Sequence, residues 1–196
     1  MNDVALNTVG EARPVIVVSQ CLGFAAVRYN GAIIDAPFVQ RLARAADIIE
    51  VCPEVGIGLG VPRPPIRMER GRGGIALVQP TTGRDITGDM HGYSDSFLGS
   101  LGPVDGFILK ARSPSCGTRD VSVFDGDAVV ASAPGRFADA VLRWFPDVPV
   151  QDELTLRDPG ERSDFLARVY ASARRRLGLA EGSGPAFPAE LLDGWP

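Results

Sequence analysis

The sequence has 196 residues, enough for one domain with a short appendage and for a buried core. Hydrophobic residues make up 45%, charged residues 22%, and the net charge is −4; no apolar run reaches the length of a bilayer span, and the acidic balance does not advertise nucleic-acid binding. The opening MNDVALNTVGEARP has acidic residues and lacks the apolar stretch of a signal peptide, so the expected location is cytoplasmic.

Residues 1–13 read as a loose tail. Residues 15–19 (VIVVS) are a continuous apolar run, the pattern of a strand buried on both faces. The stretch after it ends in Tyr29-Asn30-Gly31, a turn signal. Pro37 opens a helical pattern with Phe38, Leu42, Ala45 and Ala46 on one face. Residues 47–51 (DIIEV) repeat the buried-strand pattern, and the Gly/Pro-rich CPEVGIGLGVPRPP that follows reads as loop. Residues 75–78 with a turn at Thr82-Gly83 suggest a small hairpin. Thr87 is placed to cap a helix running to about Leu101, which Gly92 and Gly99 weaken.

Residues 105–110 (DGFILK) are a third strand, followed by the loop ARSPSCGT. Residues 121–124 and 128–132 pair around Asp125-Gly126, residues 135–145 form a helix, and residues 148–150 a short last strand. Residues 161–177 carry Phe165, Leu166, Val169 and Tyr170 on one helical stripe, ahead of a flexible Gly/Pro-rich end. This alternation predicts an α/β fold: a Rossmann-like three-layer sandwich around a mostly parallel sheet, with small β-hairpin insertions and a C-terminal helix. The expected division is a tail over 1–13, a main domain over 14–151 and a helical extension over 152–196.

Cys21, Cys52 and Cys116 are the only cysteines, and an odd number in a reducing compartment argues against disulfides. Each follows the carboxyl end of a predicted strand, the rim at which an open parallel sheet gathers ligands. Three thiolates at one place call for a cation, and thiolates select iron–sulfur clusters, zinc or Cu(I). Structural zinc prefers four protein ligands and close cysteine pairs; no CxxC is present, and His91 is the one imidazole available. Three cysteines with an open position suit a 4Fe-4S cluster with one free iron, and three inert buried thiols are the other reading.

Glu54, on the turn of Cys52, is a candidate proton shuttle or a loop acid paired with an arginine. Ser113 and Ser115 are candidate hydroxyl donors or turn-forming residues. The cluster Arg63, Arg67, Arg70 and Arg72 and the run Arg174, Arg175 and Arg176 read as solvated surface, or as phosphate or carboxylate binders where either patch lines a cleft. Gly56, Gly58 and Gly60 do not make a dinucleotide loop, because the third glycine is misplaced and Pro62, Pro64 and Pro65 forbid the helix such a loop opens.

The segments SQCLG with RYNG, then EVCPEVGIGLGVPR, GRDIT and LKARSPSCG resemble, in order and spacing, the 2-thiouracil desulfidase family. The resemblance spans most of the chain. It implies a 4Fe-4S cluster held by Cys21, Cys52 and Cys116, with the fourth iron open to the sulfur of a thiocarbonyl. It implies conversion of a thiolated pyrimidine, 2-thiouracil or a thiouridine-like ring, to its oxygen analogue with release of sulfide and no external reductant. Glu54 takes the family's acid/base role and Ser113 the assisting serine, with Ser115 the second choice. The chain departs from the family pattern at Asn30, where an acid is usual. The segment TLRDPGERSDFLARVYASARRR resembles the start of a second helical domain in longer members, which act on thiolated nucleosides in tRNA, so tRNA joins the small pyrimidine as a possible partner. A metal-retaining sulfur or redox sensor without catalysis is the alternative function.

Overall fold

The structure, a computed structural model, describes residues 12–71, 73–179 and 186–192. Residues 1–11 of the expected tail, Arg72, and residues 180–185 and 193–196 of the expected flexible end lie outside the described residues. Along the chain run β1 (Val15–Ser19), α1 (Pro37–Ala45), β2 (Asp47–Val51), α2 (Pro53–Gly56), β3 (Arg67–Gly71), β4 (Gly74–Gln79), β5 (Arg84–Asp85) and α3 (Thr87–Ser100). Then follow β6 (Gly106–Leu109), β7 (Val121–Asp125), β8 (Ala128–Ala133), α4 (Arg136–Trp144), β9 (Val150–Asp152) and α5 (Pro159–Leu177).

Four strands form a wholly parallel sheet in the order β2-β1-β6-β9. Successive side chains of a strand point to opposite faces. Ile16, Val18 and Ile108 therefore pack with Phe38 and Leu42 of α1 and with Phe165 and Val169 of α5. Val17, Phe107 and Leu109 pack the other way, with Met90 and Leu98 of α3 and Phe137 and Val141 of α4. Burial on both faces is why these strands read as unbroken apolar runs. The three-layer α/β architecture is the expected one. α5 lies directly on the backbone of β6: a Cβ on Gly106 would come within 2.8 Å of Val169 and 3.3 Å of Phe165. Asp158 caps α5 by accepting from the N–H groups of Gly160 (2.8 Å) and Glu161 (3.0 Å), and Gly178, at φ +67°, ends it.

The expected hairpins are not separate insertions. They join through β3 into a second, five-stranded sheet ordered β5-β4-β3-β7-β8. β3 is antiparallel to β4 and parallel to β7. Its sequence, RMERG, looks like surface, but Met68 points into the core while Arg67 and Glu69 pair outside at 2.6 Å.

Four further differences have local causes. The stretch after β2 is not all loop, because Pro53, pre-set for a first helical position, starts the single turn α2. Thr87 is inside α3 rather than its cap: its hydroxyl accepts from Leu77 N–H (2.8 Å), and its own N–H donates to Asp85 (2.8 Å). The third strand is shorter than its apolar run, since the Asp105 carboxylate, 1% exposed, is drawn into bonds with Val15 N–H, Ser172 and Arg176. The last strand pairs two residues later than expected, Val150–Asp152 rather than 148–150. Among the described residues no helix is long and apolar enough to cross a membrane.

Candidate active site

The chain leaves β1 toward β2 on one side, and β6 is followed by β9 on the other, so β1 and β6 flank the point at which the strand order reverses. That point opens a crevice outside the strand ends. Cys21 sits in the turn after β1, fixed by Gln20 N–H to Val51 O (2.8 Å) and Leu22 N–H to Ser19 O (2.9 Å). Cys52 follows β2 directly and precedes α2. Cys116 lies on the 111–118 loop after β6.

That loop is held from three directions. The first N–H groups of α4 donate to it: Arg136 to Pro114 O (3.0 Å), Phe137 and Ala138 to Ser115 O (2.9 and 3.0 Å). Orphan donors of a helix start thus become loop anchors. Glu153, just past β9, accepts from Ala111 N–H (2.7 Å) and Lys110 Nζ (2.6 Å) at the loop entrance. Asp152 accepts from the Thr118 hydroxyl (2.9 Å) at its exit. Gly135 makes the approach possible, because a Cβ there would sit 2.6 Å from the Ser115 carbonyl carbon and oxygen.

All three cysteines line one cavity of about 340 Å³, together with Glu54, Ser113, Lys110 and Arg63. Burial pushes the Cys21 thiol up to about 11, reinforced by Cys52 and opposed by Lys110 and Arg28. Burial also raises Cys52, with the Val55 N–H opposing and Glu54 reinforcing. Cys116 is raised well above the usual thiol value, by burial first, with the Ser19 hydroxyl opposing and Cys21, Cys52 and Glu54 adding to it. Burial raises all three thiols, and Cys52 adds to it at Cys21 and at Cys116, so a positive group among them is needed for them to act as thiolates.

Among the described residues no three His, Cys, Asp or Glu side chains stand close enough to hold a metal ion. The three cysteines lie on the wall of one cavity, and their thiolates are the donor type an iron–sulfur cluster takes, one to each of several irons. His91, the candidate fourth ligand, instead takes a contact from Arg136 Nη2 at 2.7 Å, and it is absent from the cavity wall.

Glu54 is 14% exposed; it lines the cavity and is paired with an arginine. Arg63 Nε (2.9 Å) and Nη2 (2.8 Å) both donate to Oε2, while the Ser115 hydroxyl donates to Oε1 (3.1 Å). Arg63, only 5% exposed, is therefore no surface residue; its Nη1 also holds Gly60 O (3.1 Å). Ser115 is fully buried and reaches the cavity only through Glu54. Ser113 lines the cavity, and its oxygen accepts from the N–H groups of Ser115 (3.2 Å) and Cys116 (3.1 Å). Sequence reasoning missed Tyr93. Its ring lies against Gly56, where a Cβ would collide with it, and burial, Cys52 and Cys116 all push its phenol up.

A doubly covered parallel sheet with its reactive groups gathered at the carboxyl rim defines an α/β enzyme that works in the crevice where the strand order reverses. The comparisons with known proteins then give the family. A model of the 2-thiouracil desulfurase family matches residues 16–153, and the chain belongs to that family of sulfur-removing enzymes. It is 29% identical to "Uncharacterized protein YbbK" of Bacillus subtilis (strain 168) over 130 residues, 60% of this chain and 84% of that protein. Among solved structures it resembles a 4Fe-4S-dependent thiouracil desulfidase, TudS, at 30% identity and a TM-score of 0.59, covering 78% of this chain and 97% of that one.

Proposed function

We propose that this enzyme replaces the sulfur of a thiolated pyrimidine, 2-thiouracil or a thiouridine-like ring, with oxygen, using a 4Fe-4S cluster held by Cys21, Cys52 and Cys116 with one iron left open. The observation that carries the reading is that the three thiols and Glu54 line one cavity. When bound, the cluster supplies a Lewis-acidic iron with affinity for sulfur. The net exchange is water plus C=S giving C=O plus hydrogen sulfide, with no electrons gained or lost.

The chain's own groups handle the protons. Glu54 Oε2 is engaged twice by Arg63, so Oε1 is the atom that takes a proton from the incoming water and returns one to the departing sulfide. Ser115 holds Oε1 in place through its hydroxyl. Ser113 has its oxygen filled by two backbone N–H groups, which leaves its O–H to donate toward the bound ring. Residues 14–151 carry the cluster and the reaction, and α5, in the extension that follows, braces them. A cavity of about 340 Å³ takes a small ring, so a free thiolated pyrimidine is the substrate in preference to tRNA. Three free thiols support a location in the reducing cytoplasm.

Anaerobic purification followed by iron and sulfide analysis tests the reading. The expected sample is brown, with roughly four irons and four sulfides per chain. It converts 2-thiouracil to uracil with one sulfide released per turnover. An iron-loaded sample that releases no sulfide from any thiolated pyrimidine would instead support the sensor reading. A stable, colourless, metal-free sample would overturn both.

A further inference from the structure

Four cationic side chains line the cavity: Arg28, Arg63, Lys110 and Arg112. Arg63 is engaged with Glu54 and Gly60, Arg28 lies 5.6 Å over the Tyr29 ring, and Arg112 is exposed. Lys110 differs from all three. It is the one lysine in a sequence whose other basic residues are arginine. It stands one residue past β6, an interior strand of the parallel sheet, and its side chain is 19% exposed. Its Nζ donates to Glu153 Oε1 (2.6 Å) and Ala111 O (2.7 Å).

An ammonium has three N–H groups. Two are accounted for, and the third has no protein acceptor among the described residues, although the side chain lines the cavity. The charge is also felt at Cys21, whose thiol Lys110 pulls down against burial. This cation is thus at the cysteine end of the cavity, held by Glu153, with a donor to spare. A compact ammonium with rotatable donors suits that place better than a planar guanidinium fork, the chain's usual cation.

We propose that Lys110 contacts the substrate: its third N–H binds the exocyclic carbonyl oxygen that a thiouracil-type ring carries beside its thiocarbonyl. The site then selects oxo-thio pyrimidines over rings bearing a thiocarbonyl alone. This inference rests on the desulfuration reading above.

A substrate and variant cycle tests it. 2-Thiouracil and pyrimidine-2-thione, which lacks the oxo group, are compared on wild-type enzyme and Lys110→Met at matched iron content. For 2-thiouracil, kcat/KM is expected to fall roughly 10- to 100-fold in Lys110→Met, the loss of one charge-assisted hydrogen bond. For pyrimidine-2-thione the fall, from the loosened loop entrance alone, is expected to be several-fold smaller. An equal fall on both substrates, or no fall on either, overturns the proposal.

Lys110→Met also strips Glu153 of its partner, so Lys110→Met combined with Glu153→Gln serves as the second variant. Calorimetric binding of uracil and pyrimidin-2-one to the wild-type protein needs no turnover. A preference for uracil that the double variant loses supports Lys110 as the contact, and equal binding by wild type overturns it. If wild type desulfurates neither thione, the functional reading falls, while this binding comparison still decides the role of Lys110.

Discussion

The Glu54 carboxylate is held asymmetrically, with Arg63 on Oε2 and the Ser115 hydroxyl on Oε1. Glu54→Gln keeps the shape and removes the proton acceptor. It is expected to lower kcat by roughly 10²- to 10⁴-fold, with iron and sulfide content unchanged, as read by anaerobic assay beside metal analysis. A loss of cluster instead of turnover would recast Glu54 as a support for Cys52. At this scale the cysteines were legible because each follows an apolar run that only a buried strand explains. The Glu54 pair was legible only as one of two options. Arg63 was not, because its partner is nine residues away across a proline-rich turn, and nothing local separates it from its exposed neighbours. The two serines differ in a way no motif states: Ser113 faces the cavity and Ser115 stands behind Glu54.

Among the elements, α4 has two tasks, packing against the sheet and anchoring the Cys116 loop through its first N–H groups. Gly135→Ala places a methyl 2.6 Å from the Ser115 carbonyl, between backbones with no flexible side chain to yield. A destabilisation of roughly 1–3 kcal/mol is expected, with poorer iron retention, measured as a lower Tm and a lower iron count. The start of α3 gives a pH test. Bonds from the Thr87 hydroxyl and N–H hold the Asp85 carboxyl below its usual range. A folded pKa below the unfolded one means the stabilisation is complete above the ordinary carboxylate range and fades as pH falls through the folded value. Asp85→Ala is expected to cost up to about 1 kcal/mol at pH 7, at the low end because the site is exposed. The gap from wild type should narrow as pH falls below the ordinary carboxylate range, as read by urea midpoints. The helices and inner strands were legible because their periodicity is set by burial. β3 was not, since its alternation carries one inward apolar residue between charged ones, and the second sheet is assembled from pairings distant in sequence.

Across the whole molecule, α5 is tied to the amino end of the parallel sheet, opposite the cavity rim. Arg176 grips Asp105 through Nη2 (2.7 Å) and Nε (3.1 Å to Oδ2), and Ser172 adds a bond at 2.9 Å. The arginine run that reads as solvated surface thus contains one residue that neutralises a buried acid. Arg176→Ala is expected to cost about 3 kcal/mol, the lower part of the range for breaking a buried pair, because Ser172 and Val15 N–H still hold the carboxylate. Thermal unfolding with turnover per iron unchanged would check it. The grip of Asp152 and Glu153 on the two ends of the Cys116 loop has its own consequence during biosynthesis. Domains are made from the amino end, so every cysteine leaves the ribosome before either carboxylate does. A nascent chain halted between Cys116 and Asp152 would display three sulfurs without the brace that sets the third. With the cluster proposed above, iron loading is expected late in maturation, once the last strand has docked.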